Sequence, residues 1–116
     1  MTIADVINIL GADIVTGSDF EREVKTACGA DMMSDVLAFV KDQSVLLTGL
    51  VNPQVIRTAD MMDMHCIVFV RGKVPDQSMI ELANERNIVI LKSHYRMFTA
   101  CGLLYSNGLK GGCETA

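Results

Sequence analysis

Three polar segments of the chain carry residue types that bind anions: Thr48-Gly49-Leu50-Val51-Asn52, Arg71-Gly72-Lys73 and Lys92-Ser93-His94, each following an apolar run. Glycine allows close approach to the backbone, and helix starts at Asn52 and Ser93 would aim free N–H groups outward. Arg71, Lys73 and Lys92 add positive charge. The combination describes a crevice for a nucleotide or a phosphorylated metabolite, with Thr48, Gly49, Asn52, Arg71, Gly72, Ser93 and His94 as the ligand-binding set. The alternative is a set of ordinary turn glycines with solvated cations beside them. His94 is the better placed of the two histidines, either as a functional group or as plain surface.

Other chemistries find less support. No Gly-Lys is followed by Ser or Thr, which removes the P-loop, and no G-x-G-x-x-G is present, which removes the dinucleotide fingerprint. Asp31 and Asp35 flank Ser34 at a helix start, where carboxylates cap and complement the dipole more readily than they serve as acid and base. His65 and Cys66 are neighbours in a strand, so their side chains diverge and cannot form a base–nucleophile pair. Cysteines 28, 66, 101 and 113 contain no C-x-x-C, so neither metal nor cofactor is expected, and Cys66 and Cys101 read as small core residues. The eight methionines are core filler, with some free to line an adaptable partner surface.

The elements that must position these residues follow from the apolar pattern. Val45-Leu46-Leu47, Cys66 to Val70 and Ile88 to Leu91 are unbroken runs suited to strands covered on both faces. Between them lie two helices. One is capped by Asn52 with Pro53 behind it and buries Val55, Ile56, Ala59 and Met62. The other is capped by Asp76 and buries Met79, Ile80, Leu82 and Ala83 before Asn87 ends it. Strand–helix alternation of this length predicts a largely parallel sheet with right-handed crossovers. A last helix, starting near Ser93 or His94, places Met97, Phe98, Cys101 and Leu104 on one side and stops at Asn107-Gly108. Upstream, Thr2 caps a helix with Ile3, Val6, Ile7 and Leu10 in the core, and Met33, Val36, Leu37 and Val40 mark another that closes before Asp42. Asp13 to Thr16 and Val24 to Cys28 read as short edge strands.

The expected fold class is therefore α/β, a largely parallel sheet flanked by helices with a pair of short edge strands near the N-terminus. Residues 1–109 form one domain and 110–116 a flexible tail. With 116 residues the chain holds one core. A net charge of −4 and six aromatics leave no footprint for nucleic acid, and no apolar run approaches the roughly 20 residues that cross a bilayer. The opening MTIADVINIL lacks a secretory pattern, which points to the cytoplasm. A hydrophobic fraction of 50% in so short a chain predicts a homodimer.

The order of elements, with Leu46-Leu47-Thr48-Gly49, Asn52-Pro53-Gln54-Val55-Ile56, Ile67 to Gly72, Glu81-Leu82-Ala83 and Ile88 to Leu91, resembles the DRTGG domain family from the opening helix to about Leu109. This family is similar in turn to the N-terminal domains of HPr kinase/phosphorylase and of the MurE and MurF ligases. Where its motif carries Asp-Arg, this chain has Leu50-Val51-Asn52; where it carries Thr-Gly-Gly, this chain has Val70-Arg71-Gly72-Lys73 and keeps Gly72 alone. The resemblance implies a non-catalytic regulatory module acting on a metabolic or redox enzyme, a hydrogenase among the candidates because short members occur near iron-hydrogenase genes. The alternative is an accessory interaction module without a small-molecule site. An enzyme built on His94 and Asp31 is a third reading.

Overall fold

The computed structural model describes residues 1–39 and 44–112. The elements run α1(Ile3–Leu10), β1(Asp13–Thr16), β2(Thr26–Gly29), α2(Met33–Phe39), β3(Ser44–Thr48), α3(Pro53–Met61), β4(Cys66–Phe69), α4(Gln77–Glu85), β5(Val89–Lys92) and α5(Met97–Ser106). They build one five-stranded sheet in the order β1-β5-β4-β3-β2. β2 through β5 are parallel, in the register Thr26↔Ser44, Val45↔Cys66 and Cys66↔Val89, and β1 closes the far edge antiparallel to β5. The expected α/β architecture is what forms. The two short N-terminal strands occupy opposite edges and so flank the sheet without pairing to each other.

Burial of both faces explains the unbroken apolar runs. Alternate residues of the central strands point to opposite sides. Val45, Leu47, Cys66, Val68 and Leu91 pack beneath α1 and α5, whereas Leu46, Ile67, Phe69 and Ile90 pack beneath α2, α3 and α4. Because β3, β4 and β5 are added in one direction, right-handed crossovers place α3 and α4 on the same face. The caps sit where sequence chemistry puts them. Thr2 and Asp5 form a reciprocal capping box, Asn52 accepts the Gln54 N–H at 2.8 Å, and Asp76 accepts the Met79 N–H at 3.0 Å.

Two face assignments are corrected. Phe98 is 86% exposed, because α5 begins at Met97 and turns Ala100 and Leu104 inward, leaving Phe98 on the outer side of the first turn. Leu37 is likewise exposed on α2 while Met33 and Val36 are buried. Val40 and Asp42, read as the end of that helix, lie outside the described residues, as do positions 113 to 116. At the start of the expected tail, Lys110 bridges to Thr26, its carbonyl accepts the Ala27 N–H at 2.9 Å, and its ammonium lies 3.6 Å from the Tyr105 ring centroid.

The Asp76 cap yields a pH test. Hydrogen bonds from the Ser78 side chain and the Met79 N–H hold its carboxyl below the usual carboxylate range. A depressed folded pKa means that its stabilisation is present above the unfolded pKa and is lost as pH falls through the folded one. Asp76→Ala is expected to lower the thermal midpoint at neutral pH, and the gap to the parent chain should close under acid conditions; a gap that is constant from pH 7 to pH 2 would refute this origin.

Candidate functional site

Four parallel strands deliver their carboxyl-end loops to one crest of the molecule, the position where open α/β sheets take ligands. Thr48 closes β3 and is fully buried. Its hydroxyl donates to Asp31 Oδ1 at 3.1 Å and accepts the Leu50 N–H at 3.1 Å, while the Gly49 N–H donates to the same Asp31 oxygen at 2.8 Å. One carboxylate from the loop after β2 thus fixes the turn after β3. Asp31 precedes α2 by two residues and serves the neighbouring loop.

The turn after β4 is unusual. Arg71 and Gly72 have φ of +59° and +68°, and the Lys73 N–H returns to the Val70 carbonyl at 3.2 Å, the pattern of a type I′ turn. Its first central position favours Asn, Asp or Gly, since a longer L-residue there crowds its own backbone at a cost of about 1–2 kcal/mol. The other non-glycine residues described with positive φ are Asp19, Asp63 and Asn87, types that tolerate it. Backbone bonds lock the turn in place: the Arg71 N–H donates to the Tyr95 carbonyl and the Gly72 N–H to the Ser93 carbonyl, each at 2.8 Å. The Arg71 side chain folds back across the crest, so that a Cβ placed on Gly49 would lie 2.5 Å from Nη2. Among the described residues its guanidinium has no hydrogen-bonded or ion-paired partner.

The structure brings together Thr48, Gly49, Arg71, Gly72 and Ser93, with Asn52 beyond them at the head of α3. Ser93 has another role than the expected helix start. It is fully buried, its N–H still reaches the Phe69 carbonyl at 2.9 Å as a strand continuation, and its hydroxyl accepts the Tyr95 N–H at 3.2 Å. The helix begins only at Met97, with Arg96 in the cap position and no side-chain cap. His94 lies beside Gly72, 3.7 Å from where a Cβ would stand, and its Nε2 faces Asp13 Oδ2 at 3.8 Å, as does Lys92 Nζ. Lys92 and His94 are therefore both turned toward Asp13. Sequence reasoning missed the part Asp31 plays, because its partners are 17 and 18 residues away. It also missed the apolar rim formed by Met32, Val51, Val74, Tyr95 and Phe98, all exposed and all on the loops or first turn after the parallel strands.

The three described thiols, Cys28, Cys66 and Cys101, are not poised as nucleophiles. Burial pushes Cys66 up to about 12, and raises Cys28 and Cys101 as well. Among the described residues no group of three or more His, Cys, Asp or Glu side chains could hold a metal, and no helix is long and apolar enough to cross a membrane.

The family model described as the DRTGG domain matches residues 5–106. No curated protein gives a significant match. Among solved structures, the fold is similar to the crystal structure of the CBS and DRTGG domains of the regulatory region of Clostridium perfringens pyrophosphatase, complexed with the activator diadenosine tetraphosphate. The TM-score is 0.72 at 18% identity, over 89% of this chain and 45% of that one. The present chain thus spans less than half of that regulatory region, and the likeness at this identity is one of fold.

The Thr48 hydroxyl provides a measurable test of how the crest is held. Thr48→Val keeps the shape and removes the acceptor of the half-buried Leu50 N–H, and urea unfolding should show a loss of about 1–3 kcal/mol. An unchanged midpoint would mean that the Asp31–Thr48 link does not fix the loop.

Proposed function

Because this chain belongs to the DRTGG domain family, we propose that it is a non-catalytic regulatory module that takes a nucleotide or phosphorylated metabolite at the carboxyl-end crest and passes its state to a metabolic or redox enzyme. One observation carries this reading. Arg71 holds a strained backbone conformation and keeps its guanidinium unpaired over a glycine. Strain of this kind persists where the side chain is needed in that place, and an unpaired guanidinium is a ready donor to an anion. Asn52 adds the positive end of α3. The activator bound by the regulatory region of the clostridial pyrophosphatase is itself a polyphosphate nucleotide, which supports the ligand class.

The second reading, a docking module for a hydrogenase or other redox enzyme without a small-molecule site, is favoured by the apolar rim around the same crest. Exposed apolar groups so placed suit a protein partner or a second copy of this chain, in keeping with the homodimer that composition predicts.

A thermal-shift screen against nucleotides and acyl phosphates separates the readings, since a ligand at 100 times its dissociation constant adds about 2.7 kcal/mol of stability. For a nucleotide that passes, Arg71→Ala should weaken binding by roughly 1.5–3 kcal/mol through loss of a charge-assisted bond. Arg71→Gly should lose the ligand as well while leaving the fold as stable or up to about 1 kcal/mol more stable, because it removes the left-handed strain. Calorimetry that finds unaltered affinity in both variants excludes the crest as the site.

A further inference from the structure

At the opposite end of the sheet a cavity of about 380 Å³ opens between the loop after β1, the start of β4 and the end of α4. Its volume falls within the range of about 300–1,000 Å³ typical of small-ligand sites. Asp19 and Arg22 stand on one wall, His65 on another, and Asn84 and Asn87 on the third. The charges are arranged in an uncommon way. Asp19 and Arg22 are three residues apart and joined through the backbone, the Arg22 N–H donating to the Asp19 carbonyl at 3.2 Å, yet among the described residues neither side chain makes an ion pair. Opposite charges that share one cavity wall without neutralising each other remain available to a ligand carrying both signs.

The other groups divide the same way. His65 Nε2 lies 3.2 Å from Asp63 Oδ1, so this nitrogen donates to the carboxylate. Its Nδ1 is buried away from the cavity and, among the described residues, has no hydrogen-bond partner. The Asn84 carbonyl oxygen is occupied by the Thr16 hydroxyl, so this side chain offers its amide as donor. The end of α4, where Asn84 and Asn87 sit, carries the negative end of a helix dipole and favours a cation. The loop is held firmly: Gly17 has φ of +117° and lies so near β5 that a Cβ would stand 2.8 Å from Val89 Cα.

We infer that this cavity binds a free α-amino acid, its carboxylate on Arg22 with amide donors from the asparagines, its ammonium toward Asp19 and the negative end of α4. The site is separate from the crest.

The test is calorimetry and ¹⁵N NMR of the full chain with the twenty protein L-amino acids, each beside its N-acetyl and C-amide derivatives. At least one free amino acid should bind and shift the side-chain amide signals of Asn84 and Asn87. Blocking either end should weaken it roughly ten- to hundredfold, the loss expected for one charge-assisted contact. Arg22→Gln should reproduce the effect of the C-amide and Asp19→Asn that of the N-acetyl group, whereas Arg71→Ala should leave binding intact. The inference is overturned if none of the twenty binds at millimolar concentration, if the N-acetyl form binds as well as the free amino acid, or if Arg71→Ala abolishes binding. It is also overturned if the Asn84 and Asn87 amides of the parent chain do not move on titration. Loss of nucleotide binding at the crest, by contrast, bears only on the proposed function.

Discussion

Parallel pairing of β2, β3, β4 and β5 is the constraint on which the rest of the molecule depends. A parallel strand has to be re-entered from the same end, so each is followed by a crossover long enough for a helix, and every strand-to-helix loop emerges at one crest. Burial of both faces then removes polar residues from the strand interiors, and the chemistry that remains is confined to the strand ends. Ser44, Thr48 and Ser93, three of the four buried polar residues among those described, mark those ends, and Ser44 shares a hydroxyl contact with Thr26 on the neighbouring edge strand. The loops are tied to one another more than to their own helices. Asp31 holds Gly49, the Val70 N–H reaches the Thr48 carbonyl at 3.0 Å, and the Arg71 and Gly72 N–H groups reach Tyr95 and Ser93. A change in one loop is therefore felt in the next.

What the sequence made legible follows from the same constraint. Runs such as Cys66 to Val70 could be read as strands because two-sided burial forbids alternation, and Asn52-Pro53 and Asp76 could be read as caps because a helix start has local chemistry. Phe98 was misplaced because its face depends on where α5 begins. That point is set by Ser93 continuing the strand and by the Tyr95 N–H turning back onto its hydroxyl, not by any periodicity within 97–106. The crest was locatable for the general reason that parallel strands share an end. Its internal wiring was not, since Asp31 and Thr48 meet only after β2 and β3 have paired. The cavity at the other end was invisible for a stronger version of that reason: residues near 17–22, 65 and 84–89 are brought together by the sheet edge and the end of α4, and no spacing in the sequence links them.

The two ends of the sheet solve different problems. At the crest the left-handed positions are an arginine, strained there, and a glycine, which is not, in a tight turn fixed by backbone bonds to the β5 side, so the guanidinium is presented from a rigid base. At the other end the left-handed positions are Asp63 and Asn87 after helices and Asp19 in a loop, residue types that reach φ near +60° at little cost. The first arrangement spends stability on a side chain; the second gathers its polar groups at little conformational cost.

The departure from the family motif is smaller in space than in sequence. The motif carries an acid and a base after the first central strand, where this chain has Leu50-Val51-Asn52. Yet both charges stand at that turn. Asp31 arrives from the loop after β2 and accepts the Gly49 N–H, and Arg71 arrives from the loop after β4 and lies over the same glycine. Gly49 is what permits this, since any side chain there would occupy the place of the guanidinium. An acid below and a base above one backbone turn restore the charge character that the local sequence has lost. For this reason the crest, although its motif is broken, still brings an acidic and a basic side chain to one backbone turn.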